Sequence, residues 1–203
     1  MPQASRTPEE LLERARAGDL EAFGDLLAQY RNYTRLLART LIGTNLRLRL
    51  DPSDLVQETF LEAHRDFPRF EGSTERELLA WLRRILARNL ADQARHQKAG
   101  LRDYRRQESL EVALERSGAR VQQALMATAS SPSAAAAKRE QAVLLADALA
   151  SLPPDYREVI ILRNLERLRF EEVATRMRRS PGAVRMLWTR ALERLSTAME
   201  GLS

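Results

Sequence analysis

Between Phe170 and Leu195 the apolar residues of FEEVATRMRRSPGAVRMLWTRALERL recur at helical spacing on both sides of one short break. That pattern fits a helix, a tight turn and a second helix. Phe170, Val173, Ala174 and Met177 fall at i, i+3, i+4 and i+7, the stripe of a short helix. Ser180 is placed to cap the helix that follows, and Pro181 suits its first position, where the N–H that proline lacks has no partner anyway. In that second helix Val184, Leu187, Trp188, Ala191 and Leu195 share one face, while Arg185, Met186, Thr189 and Arg190 share the opposite one. A packed back and a cationic front suit a helix that reads a DNA major groove. An ordinary amphipathic hairpin with solvated arginines has the same pattern, so the rest of the chain must decide.

Only 5% of the 203 residues are aromatic, and runs of Val, Ile, Thr and Tyr suited to strands are absent. The expected fold is all-α, with room for two small domains. Lys98 and Lys138 are the only lysines, so the net charge of +5 is carried by arginine. Arginine is the better fork for phosphate and guanine, although a GC-rich genome would enrich it too. Residues 151–203 hold 10 basic and 7 acidic groups and form the most basic part of the chain. There is no cysteine, which removes disulfides, thiol catalysis and Cys-based zinc sites. His64 and His96 are far apart in sequence, so neither a metal site nor a cofactor is expected. No apolar run reaches the length of a membrane span, and MPQASRTPEE lacks a signal-peptide core. The expected protein is cytoplasmic, with no membrane insertion.

Capping signals divide the chain. Thr7-Pro8-Glu9-Glu10 opens a first helix that should end at Gly18, and Asp19 caps a second, which continues or restarts through Tyr33 to Gly43. Residues 43–50 read as a loop or a short helix. Asp51-Pro52-Ser53-Asp54 starts the next helix and Pro68 ends it, and after the loop Ser73 or Thr74 caps a long helix. Leu110, Leu114, Val121 and Leu125 mark helical fragments, and Thr128–Ala134 has the composition of a linker. Helicity resumes by about Lys138, and Leu152-Pro153-Pro154-Asp155 introduces a helix over Tyr156–Leu165. The layout is two helical domains, 7–99 and 138–200, joined by a flexible linker over 100–137.

Two stretches of the first domain carry unusual chemistry. On the helix after Asp51, Asp54, Glu58 and Glu62 fall on one side together with Leu61, with Gln57 nearby. A row of like charges costs a few tenths of a kcal/mol per pair. Acids around an exposed leucine suit a dock for a basic partner, while a merely solvated face has the same pattern. Farther on, the loop Arg69-Phe70-Glu71-Gly72 precedes a helix whose outer face carries Arg84, Arg88 and Arg95, with Asn89 on its inward stripe. An aromatic loop before an arginine-lined helix suits single-stranded nucleic acid, unless Phe70 belongs to the core.

Taken together, three stretches resemble the extracytoplasmic-function (ECF) group of bacterial sigma factors, in the sigma-70 family. DPSDLVQETFLEAH (51–64) resembles region 2.2, Phe67–Arg95 with WLRRILARNLADQAR resembles regions 2.3 and 2.4, and Ser151–Leu195 resembles region 4. The resemblance implies an alternative sigma factor, not an enzyme, that binds core RNA polymerase and directs promoter-specific initiation. Its implied partners are the polymerase β′ clamp helices and β subunit, promoter DNA and an anti-sigma factor. By the same resemblance Asp51, Asp54, Leu55, Gln57, Glu58 and Leu61 would bind polymerase. Arg69, Phe70, Glu71, Arg84, Arg88 and Asn89 would serve the −10 element. Arg178, Arg179, Ser180, Gly182, Arg185, Met186, Thr189 and Arg190 would serve the −35 element.

The chain departs from the family pattern at Arg178, where a glycine is usual, and at Glu166–Arg169, which replaces a glycine-containing turn. Met186 stands where a small polar residue is usual. A stand-alone helix-turn-helix regulator binding an operator would explain 138–200 and leave the acidic helix and residues 67–95 without a role. A metal-dependent hydrolase built on Asp51, Asp54 and Glu58 would have its ligands along one helix, with no second helix supplying more.

Overall fold

A computed structural model describes residues 7–44, 50–97 and 134–202. The described residues are helical, with no strand among them. They fall into two compact units, residues 7–38 with 50–97, and residues 39–44 with 134–202. Residues 45–49, the expected fragments at Leu110, Leu114, Val121 and Leu125, and the linker as far as 133 lie outside the described residues.

The first unit is built from α1 (Pro8–Arg16), α2 (Leu20–Gln29), the first turns of α3 (Arg31–Thr44), α4 (Pro52–Asp66) and α5 (Glu75–Gln97). Thr7 and Glu10 form the expected capping box, each accepting the other's backbone N–H. Gly18, at φ 98°, turns the chain between α1 and α2, a conformation in which a β-carbon would be strained. Asp19 caps α2 by accepting the Ala22 N–H at 3.0 Å and takes the Arg14 guanidinium at 2.5 Å as well. Those two contacts hold its carboxyl below the ordinary range. The helix restarts at Arg31 after a break at Tyr30. Leu11, Leu12, Phe23, Leu26, Leu37, Leu55, Leu78, Leu82 and Leu86 fill the core. Buried Tyr30 donates its hydroxyl to Glu75 at 2.9 Å; burial and that carboxylate push the phenol's pKa up.

The second unit contains α6 (Ala134–Ser151), α7 (Pro154–Ile160), α8 (Phe170–Met177) and α9 (Pro181–Glu200). α6 starts four residues before the expected boundary at Lys138. The helix expected to run through Leu165 instead widens into a π-turn over Ile161–Leu165. Its last bonds reach back from Glu166 N–H to the Ile161 carbonyl and from Leu168 N–H to Leu162. Arg167 then takes φ 59°. Arg157 clasps the end of α6, donating to the carbonyls of Leu149, Ala150 and Leu152 at 2.7–2.9 Å. A helix end leaves such carbonyls without partners, so one side chain satisfies three acceptors.

Candidate functional site

The acidic face lies in a cleft between α4 and α5. Asp54, Gln57, Glu58, Leu61, Glu62 and Arg65 of α4 and Asn89 and Asp92 of α5 line a volume of about 670 Å³. Leu61, 67% exposed, is the large apolar side chain among these acids. The repulsion expected along Asp54–Glu58–Glu62 is relieved from α5 and from within α4. Glu62 pairs with Arg88 and with Arg65 at 3.2 Å, and Glu58 accepts from the Gln93 amide. Asp54, Glu58 and Gln57 remain exposed beside Leu61.

Two residues expected in the docking set are placed otherwise. Leu55 is fully buried in the core, on the inward side of α4 with Thr59 rather than with exposed Asp54, Gln57, Glu58 and Leu61. Asp51 stays exposed, but its carboxylate caps α4 by accepting the Ser53 N–H at 2.7 Å, and it does not line the cleft. Glu62 and Asp92 do line it, and the expected set lacked both. Glu62 continues the i, i+4 row and was legible; Asp92 is brought in by the crossing of two helices, which no local spacing encodes.

The loop after α4 is built on aromatic packing. Phe67, in a short 3₁₀ turn (Phe67–Arg69), stacks on Phe23 at 3.9 Å. Phe70 packs on Trp81 at 4.9 Å and on Phe67 at 5.8 Å. Phe70 is therefore half-buried, a pillar of the loop rather than a ring held free in solvent. A β-carbon on Gly72 would lie 2.3 Å from the Phe70 ring and 2.9 Å from Glu77 Cβ, so the close approach requires glycine. Thr74 caps α5 with Glu77, whose carboxylate accepts from Ser73 N–H at 2.9 Å and from the Thr74 N–H and hydroxyl. These bonds hold the Glu77 pKa below the ordinary value. Arg69, Glu71 and Arg84 are exposed around this loop and helix.

The remaining −10 candidates sit differently. Arg88 is ion-paired with Glu62 at the rim of the acidic cleft, with Asp66 4.0 Å away. Asn89 is only 5% exposed and faces the cleft floor with no partner on its Nδ2 among the described residues. Both lie where α5 meets α4, while Arg84, one turn before Arg88, is exposed.

In the second unit α8 and α9 form the expected helix-turn-helix. Val173, Ala174, Val184 and Ala191 are buried, and Phe170 meets Trp188 edge-on at 5.6 Å. The Trp188 indole N–H donates to Asn164 at 2.8 Å, which ties α9 to the π-turn. Ser180 caps α9 by accepting the Ala183 N–H at 3.2 Å. Arg178 ends α8 in the left-handed region (φ 53°, ψ 46°), a conformation that favours glycine and that arginine adopts here at some cost. Its N–H and that of Arg179 close the helix on Thr175 and Ala174. Gly182, Arg185, Met186, Thr189 and Arg190 are all exposed on one side of α9. Arg179 pairs with Asp155 at 2.5 Å, and Arg185 with Glu171 at 3.2 Å while lying over the Phe170 ring. Such exposed pairs are worth about 0–1 kcal/mol, so either arginine can exchange its acid for phosphate or a base.

Among the described residues no group of acids or histidines is placed to hold a metal ion, and no helix is long and apolar enough to cross a membrane. Residues 26–100 match the Sigma-70 region 2 family, and residues 142–195 match Sigma-70, region 4. The chain is similar to RNA polymerase sigma factor CarQ of Myxococcus xanthus, with 31% identity over 91% of this chain and 92% of that protein. It is also similar to the ECF RNA polymerase sigma-E factor of Escherichia coli K12, with 30% identity over 97% of this chain and 96% of that one. A solved RsbN–BldN complex aligns over 92% of this chain and 97% of that chain, with 28% identity and a TM-score of 0.31. The two family matches fall on the two helical units, and the relatives span both, so this chain belongs to the ECF sigma factors of the sigma-70 family and is an alternative sigma factor that directs transcription initiation.

Proposed function

We propose that the acidic cleft between α4 and α5 is the surface by which this sigma factor joins core RNA polymerase in the cytoplasm, at the β′ clamp helices. The observation that carries this is Leu61, 67% exposed and ringed by Asp54, Gln57 and Glu58 at the mouth of a cleft of about 670 Å³. An apolar anchor in a ring of acids complements a partner that presents an apolar pocket among lysines or arginines. Residues 7–99 then form the docking and −10 domain, and 138–200 the −35 domain. Arg69, Glu71 and Arg84 flank the loop that would take a −10 base out of the stack, with binding energy offsetting unpairing. On α9, Arg185 and Arg190 would face guanine edges, and in the turn before it Arg178 and Arg179 would face phosphates. No bond chemistry is assigned to the protein itself.

The test is transcription from a cognate promoter with purified protein, with and without core polymerase. Initiation should require both, and the protein should co-migrate with core polymerase. Tight, sequence-specific operator binding without polymerase, with no effect on initiation, would favour a stand-alone regulator instead.

A further inference from the structure

The DNA-facing side of α9 is less polar than its arginines suggest. The exposed large apolar side chains among the described residues are Leu20, Leu61, Met186 and Leu202. Of these only Met186, 61% exposed, sits on that face. One turn before it stands Gly182, where an added β-carbon would have nothing within 4 Å. Helical side chains lean toward the N-terminus, so the Met186 thioether extends over this bare turn. One turn after it, the Thr189 hydroxyl donates to the Arg185 carbonyl at 3.1 Å, which commits its hydrogen to the helix backbone. The Arg185 guanidinium is drawn aside to Glu171 and the Phe170 ring. The middle of the reading face thus presents a thioether beside a threonine whose hydrogen is already committed, with Arg190 one turn farther on.

We propose that Met186 selects one −35 base pair by packing on the 5-methyl group of a thymine. The inference rests on the reading of α9 as the −35 helix. In the major groove every base edge offers donors or acceptors, but thymine alone adds an apolar group. A thioether set against a guanine, adenine or cytosine edge strips water from polar atoms without replacing the lost hydrogen bonds. Against a thymine methyl it removes apolar surface from water on both sides. Met186 therefore adds specificity where a small polar side chain would read a different edge.

The experiment uses full-length protein with core polymerase and promoter DNA selected from a library randomised across the −35 element. Each −35 thymine is then replaced singly by deoxyuridine, which deletes the methyl group and nothing else. At one position the wild-type holoenzyme should bind the uridine duplex roughly fourfold more weakly, the effect of about one methyl group. Met186→Ser, at an exposed site and with unchanged melting, should bind thymine and uridine equally there. Arg190→Ala should keep the thymine preference while binding more weakly overall. Equal binding of thymine and uridine at every position by wild type, or a preference that survives Met186→Ser, would overturn the inference and leave the −35 reading standing. A library that shows no −35 preference at all would overturn the reading of α9, and the inference with it.

Discussion

At Gly72 a single missing carbon decides the shape of the loop between the 3₁₀ turn and α5. An alanine there would meet both the Phe70 ring and Glu77 Cβ closer than atoms tolerate. The ring cannot simply swing away, because Phe67 and Trp81 hold it from other sides. Gly72→Ala should therefore destabilise the protein by about 1–3 kcal/mol, as overpacking does. In a holoenzyme it should lower permanganate reactivity of the −10 thymines while core polymerase is still bound. Arg178 presents the opposite case. Its left-handed backbone is costly for any residue with a β-carbon, so Arg178→Gly should gain roughly 1 kcal/mol in thermal unfolding. The same change should reduce the slope of log affinity for promoter DNA against log salt by about one, because one phosphate contact is lost. A variant with higher stability and an unchanged salt slope would remove Arg178 from the DNA contacts.

At the scale of elements, α5 is fastened to the loop before it by one carboxylate. The Glu77 pKa is depressed, first by the Ser73 N–H and then by Thr74, so its contribution to stability is complete above the unfolded value near 4.5 and is lost as pH falls through the lower folded value. Amide hydrogen exchange at Ser73 and Thr74 should accelerate in that acid range in excess of the ordinary chemical pH dependence, and stay protected at neutral pH. Glu77→Gln should flatten the excess. That Ser73 or Thr74 caps α5 was legible, as were the caps at Thr7, Asp19, Asp51 and Ser180, because caps and apolar stripes are local signals, while the part of Glu77 was not read. What was not legible lies between elements. Leu61 was legible as exposed, but only the packing of α4 on its neighbours shows that Leu55, expected in the same docking set, is buried. Arg88 likewise fits an arginine-lined outer face on paper, while in the fold it pairs with Glu62 of α4, and Asn89, expected on the inward stripe, lines the cleft between the two helices. The π-turn after Ile160 follows from closure onto the turn at Arg167, which no periodicity announces.

At the scale of the whole molecule, docking at the cleft as proposed would mean that the two units act on a promoter only when the first also holds polymerase. That claim concentrates on Asp54 and Glu58, which are exposed at the cleft beside Leu61, so that truncating them leaves the core intact. The deciding measurement is the affinity of full-length protein for core polymerase, wild type against Asp54→Ala with Glu58→Ala, at two salt concentrations. The account predicts unchanged melting, at least about tenfold weaker binding, a smaller loss with added salt than wild type has, and a matching fall in initiation. Unchanged affinity and unchanged initiation in the double variant would contradict it.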